Sequence, residues 1–214
     1  MTNFIPIFPL DIIVYPNEPL NLHIFEPRYK QLIKECITTR KTFGIPVVLD
    51  KKVQEYGTVI EILELVKEYP GGEMDIRAKG THIFRVLEII REIPGKLYSG
   101  AIVNYPENIT QPDDSKLSNL IMSEVKRLYS LLNVEEKLPP ADGGILSYKI
   151  AHYIGLSPLQ EYELMQLLIE TQRLEYIRKH LNNMVPMLQG LEQAKARIKL
   201  NGHFRNLSSD NTEF

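Results

Sequence analysis

Residues 56–90 read YGTVIEILELVKEY, PGGEM and DIRAKGTHIFRVLEII, which are two long runs joined by a short segment that contains two glycines. Both runs are rich in the β-branched residues that favour extended chain. Proline and glycine between two such runs are typical of the turn of a β-hairpin. We therefore predict that residues 56–69 and 75–90 are two long strands that pair with each other.

Shorter apolar runs flank this hairpin and predict further strands. Residues 5–7 and 12–14 are punctuated by prolines, which favour short or edge strands because proline cannot donate a hydrogen bond to a ladder. Apolar and polar residues alternate over residues 20–24, as expected of a strand with one buried face. Residues 44–49 and 97–105 have the apolar character of two more strands.

One helix is predicted within this β-rich half of the chain. Pro27 occupies a position that the first turn of a helix tolerates, and the apolar residues after it recur at helical spacing. The predicted inner face consists of Tyr29, Leu32, Ile33, Cys36 and Ile37. A reactive thiol needs a lowered pKa, so Cys36, late in this helix and on its apolar side, is expected to be buried and inert.

The pattern changes near residue 106 from extended to helical. Residues 106–115 contain prolines and polar residues, which predict a loop and a domain boundary. Apolar residues at helical spacing predict helices over residues 117–132 and 145–154, with a second loop over residues 133–144.

Two further helices are predicted near the C-terminus. Ser157-Pro158-Leu159-Gln160 combines an N-cap serine, a proline at the first helical position and a glutamine at the third. A long helix follows from about residue 172, interrupted or kinked at Pro186 because proline lacks a backbone donor. Its last apolar residues are expected to face the core, and they are Leu188, Leu191, Ala194 and Ile198.

These elements predict an α+β fold, with a partly closed β-barrel or sheet and one short helix followed by a C-terminal helical bundle. We expect residues 1–106 to form the β-rich subdomain and residues 113–200 the helical one. Residues 201–214 are expected to be a polar, flexible tail.

Composition restricts the class of protein. Hydrophobic residues make up 43% of the 214 residues and charged residues 24%, which is the balance of a globular protein. The net charge of -2 argues against binding nucleic acid by bulk electrostatics. Cys36 is the single cysteine, so an internal disulfide is excluded. The sequence shows neither a signal peptide nor a membrane span, and a soluble, cytoplasmic protein is expected.

Motifs for catalysis or cofactors are not found in the sequence. No G-x-x-x-x-G-K-[ST] phosphate loop occurs, and the five histidines are scattered without a metal-binding motif. His23 and Glu26 could form an acid–base pair, but they are more simply interpreted as residues that shape the corner between a strand and a helix. We therefore expect no catalytic residue, no metal and no cofactor.

Several strings resemble a known family. They are IPIFPL (residues 5–10), VYP (14–16), LNLHIFEPRY (20–29), FG (43–44), GT (57–58) and GTHIFRV (80–86). In this order they resemble the N-terminal, substrate-binding domains of Lon proteases, and IFEPRY is especially similar to the free-standing members. The resemblance extends from about residue 5 to 200. Asn17-Glu18 departs from it, because relatives often have glycine after the proline.

The resemblance implies a β-rich domain of PUA-like shape followed by a helical bundle, and a role in capturing substrate polypeptides. The expected ligand is an unfolded or extended polypeptide, which the chain would deliver to a protease in trans. The candidate peptide-binding residues are Tyr15, Pro16, Pro19, Leu20, His23, Glu26 and Arg28. The first four would line an apolar groove. Glu26 and Arg28 could instead form a polar latch that fixes the strand–helix corner.

The alternative function is RNA or nucleotide binding of the PUA-like type. Such binding needs a basic face with aromatic residues for stacking, and the net charge does not favour it. A cryptic hydrolase is a third interpretation, for which no nucleophile has a visible base beside it.

Overall fold

The computed structural model describes residues 3–111, 115–138 and 144–207. Within them one antiparallel sheet is formed by β1 (Asn3–Pro6), β2 (Pro19–Ile24), β3 (Phe43–Leu49), β4 (Lys52–Glu68), β5 (Met74–Ile90) and β6 (Gly100–Asn104). The helices are α1 (Pro27–Thr39), α2 (Ser115–Leu132), α3 (Leu146–Ala151), α4 (Pro158–Gln166) and α5 (Glu170–Leu207), with a 3-10 turn at Glu135–Lys137. The α+β class is confirmed.

The hairpin of β4 and β5 is the longest pairing in the sheet. Its register runs from Tyr56 opposite Arg85 to Glu68 opposite Met74, with register shifts at three points along the pair. The turn is closed by the amide of Gly72, which donates to the carbonyl of Tyr69 at 2.8 Å. The predicted hairpin is confirmed, although β4 begins at Lys52, four residues earlier than expected.

The sheet is open rather than fully closed. Its strand order is β1-β6-β5-β4-β3, and β2 pairs with the half of β5 that β6 leaves free. Isolated parallel bridges from Ile7 to Gly44 and from Leu10 to Val47 join the chain after β1 to β3 at the other end of the order. These bridges bring the two ends of the sheet together without a continuous ladder.

Residues 12–14 are not a strand, so that prediction is wrong. Pro9 and Pro16 bracket this segment and cannot donate to a ladder. Its backbone polar groups are satisfied in other ways: the Thr58 hydroxyl donates to the carbonyl of Val14, and the amide of Tyr15 donates to the Glu18 carboxylate. The segment therefore crosses the sheet as an irregular connection.

Helix α1 has the predicted start and inner face. Pro27 is in its first turn, and Tyr29, Leu32, Ile33 and Cys36 are buried. They pack with apolar residues of β2, β3, β4 and β5 in one core cluster. Burial raises the pKa of the Cys36 thiol to about 11, which keeps it protonated and unreactive at neutral pH.

In the helical half, the predicted starts of the helices agree with the structure better than the predicted ends do. The Ser157 side chain and Gln160 form the complete capping box of α4. Helix α5 continues through Pro186 to Leu207, so it is not interrupted there, and the alternative of a kink at Pro186 stays a prediction. Because proline has no backbone N–H, the carbonyl four residues before Pro186 receives no hydrogen bond within the helix. Pro186 is exposed, so that carbonyl is accessible to water. Residues 201–207, predicted as tail, are helical, and residues 208–214 lie outside the described part of the chain.

Of the last apolar residues of α5, Leu188 packs against the core as predicted, whereas Leu191, Ala194 and Ile198 do not. Leu191 is 49% exposed and Ile198 is 71% exposed, and residues 190–199 are all exposed. Their spacing fits a packed helix face, but α5 extends past the elements against which that face would pack.

The β-rich and helical halves share one core cluster. Ile13, Tyr15, Val47 and Ile83 pack in the same cluster as residues of α2, α3, α4 and α5. The two predicted subdomains therefore meet in an apolar interface, and their boundaries as separate units stay a prediction. None of the described helices has the length and apolar character that crossing a membrane requires.

Candidate functional site

A cavity of about 260 Å³ lies where the β-rich half meets α3. We call it the turn–helix pocket. Its lining residues are Tyr15, Pro16, Asn17, Glu18, Pro19, Gly144, Ile145, Tyr148, Lys149, His152 and Tyr153. One wall is the segment of residues 15–19, and the other is α3 with its flanking residues. Aromatic residues line both walls, and the two lining prolines, Pro16 and Pro19, belong to the first wall.

The first wall is a tight turn. The amide of Glu18 donates to the carbonyl of Tyr15 at 3.2 Å, and Pro16 and Asn17 are the central residues. Asn17 has φ of 70°, the value that a type II turn requires at this position. Asparagine tolerates the left-handed region better than most residues, so its presence instead of glycine is compatible with the turn.

The turn is fixed against β5 at Gly80. The amide of Asn17 donates to the carbonyl of Gly80, and the amide of Gly80 donates to the carbonyl of Glu18, both at 2.9 Å. A Cβ atom at residue 80 would lie 2.3 Å from the carbonyl oxygen of Tyr15. Glycine is therefore required here, because any side chain would push the pocket wall away from the sheet.

Tyr15 forms the floor of the pocket. It is fully buried, and its hydroxyl donates to the carbonyl of Glu161 in α4 at 3.0 Å. Its ring stacks on Tyr148 of α3, with centroids 4.9 Å apart and an interplanar angle of 16°. Burial raises the pKa of Tyr15, and the negative charges of Glu161 and Glu18 add to the effect, so its hydroxyl remains a neutral donor.

His152 connects both walls of the pocket to α4. Its Nδ1 lies 2.9 Å from Oε1 of Glu161, and its Nε2 lies 3.3 Å from Oε2 of Glu18. We call these three residues the His152 clamp. Burial by itself would lower the pKa of His152, but the hydrogen bonds to Glu161 and Glu18 and their charges raise it to about 9. The imidazole is therefore charged at neutral pH, and each ring nitrogen donates to a carboxylate.

The second wall is positioned by a buried ion pair that sequence reasoning missed. Arg173 of α5 is fully buried and lies 2.8 Å from the carboxylate of Glu170. It donates to the Ser147 hydroxyl and to the side-chain oxygen of Asn108, both at 2.9 Å. Its guanidinium also lies 4.3 Å from the ring centroid of Tyr148. The pair thus holds α3, α5 and residue 108 together behind the pocket.

The seven predicted site residues do not lie together. Tyr15 and Pro16 are buried and Pro19 is exposed, and all three line the turn–helix pocket. Leu20 does not line it, because this side chain packs on the core cluster beneath α1.

The three remaining predicted residues lie at the other end of β2. Nδ1 of His23 is 2.6 Å from Oδ1 of Asp75, so its partner is Asp75 and not Glu26. Glu26 instead pairs with Arg28, 2.8 Å from its guanidinium, which lies 4.5 Å from the ring centroid of Tyr29. The pair has the geometry of the predicted polar latch, and its role at the strand–helix corner stays a prediction.

These observations define an α+β domain whose apolar pocket lies at the junction of an open sheet and a set of helices. Residues 5–183 match the family model of the ATP-dependent protease La (LON) substrate-binding domain, so the chain belongs to this family. The resemblance found in the sequence is confirmed. The matched family is the substrate-binding, non-catalytic part of the Lon protease.

Two curated relatives illustrate the range of chains that are similar to this one. A LON peptidase N-terminal domain and RING finger protein of Schizosaccharomyces pombe is 25% identical, with 80% of this chain and 43% of the relative covered. The Lon protease of Vibrio parahaemolyticus is 21% identical, with 91% of this chain and 26% of the protease covered. The chain thus spans less than half the length of these relatives.

Solved structures agree on the fold. The crystal structure of a Lon N-terminal domain protein from Xanthomonas campestris has a TM-score of 0.65 and 25% identity, covering 83% of this chain and 98% of that one. The N-terminal domain of Mycobacterium avium complex Lon protease has a TM-score of 0.59 and 15% identity, covering 85% of this chain and all of that domain. At 15% identity, the similarity to the Mycobacterium avium complex domain shows a shared fold alone.

Proposed function

We propose that this protein binds unfolded or extended polypeptide, and that one bulky apolar side chain of the bound segment enters the turn–helix pocket. The observation that carries the proposal is the apolar character of the pocket lining, which includes Tyr15, Pro16, Pro19 and Tyr153. Membership in a substrate-binding family gives polypeptide as the class of ligand.

The size of the pocket limits the affinity that it provides. A cavity of about 260 Å³ accommodates one large side chain and not two. Burying such a side chain contributes about 2–3 kcal/mol, which is offset in part by the ordering of the bound chain. A single anchor by itself therefore gives very weak binding, with a Kd of about 10 mM or higher, and tighter capture would require further contacts or several anchors on one polypeptide.

The charges around the pocket favour polypeptide over RNA. Lys149 and His152 are its basic lining residues, and Glu18 is acidic. His152 is engaged by the carboxylates of Glu18 and Glu161. Single-stranded RNA needs a groove with net positive charge that follows its backbone, and the clamp has net negative charge.

Fluorescence anisotropy with a labelled unfolded polypeptide and with labelled single-stranded RNA, each at two salt concentrations, tests the proposal. We expect saturable polypeptide binding that changes little with salt, because burial of apolar surface supplies most of the free energy. Tyr153→Ala should weaken it about fivefold, since this side chain is 52% exposed and lines the pocket.

Tyr105→Ala is the matched control. Tyr105 is 43% exposed and does not line the pocket, so the same substitution there should leave polypeptide binding unchanged. Equal loss in both variants would contradict the assignment of the pocket. Salt-sensitive binding of RNA without binding of polypeptide would favour the PUA-like alternative.

Delivery to a protease in trans is the second part of the proposal. Curated relatives carry this family's domain within chains named Lon protease, which supports a connection to proteolysis. Adding the protein to a Lon protease and an unfolded substrate should increase the initial rate of degradation, and Tyr153→Ala should reduce the increase. A rate that does not depend on the added protein would remove this part of the proposal and leave the binding function untouched.

A further inference from the structure

The His152 clamp is a polar connection across the wall of the turn–helix pocket. Glu18 and His152 line the pocket, and Glu161 lies behind them at the start of α4. Glu18 and His152 are separated by 134 positions in the sequence, so the contact joins the two halves of the molecule. The same oxygen of Glu18 also accepts the amide of Tyr15 at 2.8 Å, which ties the clamp to the turn.

The groups that face His152 come from each element around it. The turn contributes Glu18 and Tyr15, whose ring centroid lies 4.9 Å from that of His152. Helix α4 contributes Glu161, and the pocket walls around His152 contribute Tyr148, Lys149 and Tyr153. From α5 the nearest histidine, His180, is committed to the carbonyl of Ile154 at 2.9 Å. Two carboxylates are thus the direct partners of one imidazole.

A neutral imidazole cannot satisfy this geometry. It has one N–H donor, and its other nitrogen carries a lone pair that would face a carboxylate oxygen. Glu161 is the closer partner at 2.9 Å, and Glu18 is the farther one at 3.3 Å. Loss of the proton therefore releases Glu18 and removes the ionic contact between the turn and the end of α3, which leaves the ring contacts of Tyr15 with Tyr148 and His152 between them.

We infer that a proton on His152 holds the two walls of the pocket in their binding arrangement, so that polypeptide binding by this pocket is coupled to proton uptake. The inference rests on the proposed function and adds its regulation. By reciprocity, a bound polypeptide stabilises the charged imidazole as much as the charged imidazole stabilises the bound state.

The midpoint of the coupling follows from the pKa of about 9 of His152. If the protonated clamp alone is competent, the apparent Kd is inversely proportional to the fraction of the protein that keeps this proton. The Kd at pH 10 should then be about tenfold higher than at pH 8, and little should change between pH 7 and pH 8. Binding at pH 9 should take up about half a proton for each polypeptide bound.

The test uses anisotropy from pH 7 to pH 10 with an end-blocked peptide that has an apolar anchor and no titratable group. The wild type should weaken about tenfold above pH 8, whereas His152→Gln should bind with no step over this range. His180→Gln is the matched control and should keep the step, because His180 does not line the pocket. A step retained in His152→Gln, or absent from the wild type, would overturn the coupling.

A second readout does not depend on any ligand. The ring signals of His152 and the δ-methyl signal of Ile145, which lines the pocket, should titrate with one midpoint near pH 9 by NMR. If no peptide binds at any pH while these signals titrate together, the proposed function is contradicted. The link between the proton on His152 and the pocket wall is then still supported. If Ile145 does not follow His152, the clamp does not control the pocket, whatever the peptide does.

Discussion

Asn17 occupies a turn position whose left-handed backbone conformation decides which residue types are tolerated there. Its φ of 70° is accessible to glycine without strain and costs a β-branched residue about 1–2 kcal/mol. Asn17→Gly should therefore change the free energy of unfolding by less than about 0.5 kcal/mol, and Asn17→Val should lower it by about 1–2 kcal/mol. Urea titration followed by circular dichroism measures both.

Asn21→Val is the control for this comparison. Asn21 is an exposed asparagine in β2, where a β-branched residue suits the extended backbone. We expect no loss of stability there. A loss as large as that of Asn17→Val would show that removal of the amide, and not the left-handed backbone, is responsible.

Arg173 is the residue whose replacement should be most damaging. Arg173→Met leaves the carboxylate of Glu170 buried without its partner, which should cost about 3–5 kcal/mol in urea denaturation. Adding Glu170→Gln to this variant should restore part of the loss, because the uncompensated charge is then removed. A double variant as unstable as the single one would contradict this reason.

Helix α5 contains the matched control for that variant. Arg178 pairs with Glu175 at 2.8 Å and at the same spacing, but its side chain is 40% exposed, whereas that of Arg173 is 0% exposed. Arg178→Met should change the stability by less than about 0.5 kcal/mol. The two Glu-x-x-Arg pairs are indistinguishable in the sequence, since burial depends on how α3 and residue 108 pack against α5. This is the reason that the pair behind the pocket could not be predicted.

At the scale of elements, the clamp makes the packing of the turn, α3 and α4 depend on pH. The folded-state pKa of His152 is about 9, above the value of about 6.5 expected in the unfolded chain. Its contribution to stability is therefore fully present below pH 6.5, decreases between pH 6.5 and 9, and is lost at higher pH. The wild type should lose about 1–2 kcal/mol more than His152→Gln over this window, after allowance for screening by solvent.

Thermal unfolding at pH 6.5, 8 and 9.5 measures this difference. If the two proteins lose stability in parallel, His152 does not bind its proton more tightly in the folded state, and other groups cause the change. His180→Gln should again follow the wild type.

One part of helix α5 packs against the core and the other part is exposed. Substitutions in the two parts should therefore differ in their effect on the free energy of unfolding. Leu181 is fully buried, so Leu181→Ala should cost about 2–5 kcal/mol. Ile198→Ala removes a side chain that is 71% exposed and should change the free energy of unfolding by less than about 0.5 kcal/mol. A large loss for Ile198→Ala in dilute solution would indicate that this face is covered by a partner.

The elements that the sequence predicted correctly are those specified by local chemistry. The hairpin of β4 and β5 follows from two β-branched runs around a glycine turn, and the start of α4 follows from its capping box. The elements predicted wrongly depend on surroundings. Residues 12–14 have strand-like composition but find other hydrogen-bond partners, and α5 tolerates Pro186 because that position faces solvent.

At the scale of the whole molecule, the two halves depend on each other for burial. Ile13, Tyr15, Val47 and Ile83 belong to the β-rich half but pack in a cluster with the helices. A fragment of residues 1–106 should therefore expose apolar surface, bind the dye ANS and unfold at lower urea concentration than the full chain. A fragment as stable as the full chain would show that the predicted boundary separates two independent units.

One wall of the candidate pocket could be predicted from the sequence, and the other could not. Tyr15, Pro16 and Pro19 were identified because aromatic and proline residues cluster in one short segment. The opposite wall comes from α3, more than a hundred residues later, and nothing local in residues 144–153 indicates where that helix packs. His23, Glu26 and Arg28 lie close to that segment in the sequence, but they sit at or beyond the other end of β2 and form pairs of their own.

The separation of 134 positions between Glu18 and His152 has a consequence for synthesis. Ribosomes add about 5–20 residues per second, so about 7–27 s pass between the two walls being made. During that interval the turn at residues 15–19 has no opposite wall. The pocket therefore cannot form on the ribosome before residue 152 has been made, and the earlier segments of the same chain emerge while no complete pocket is present.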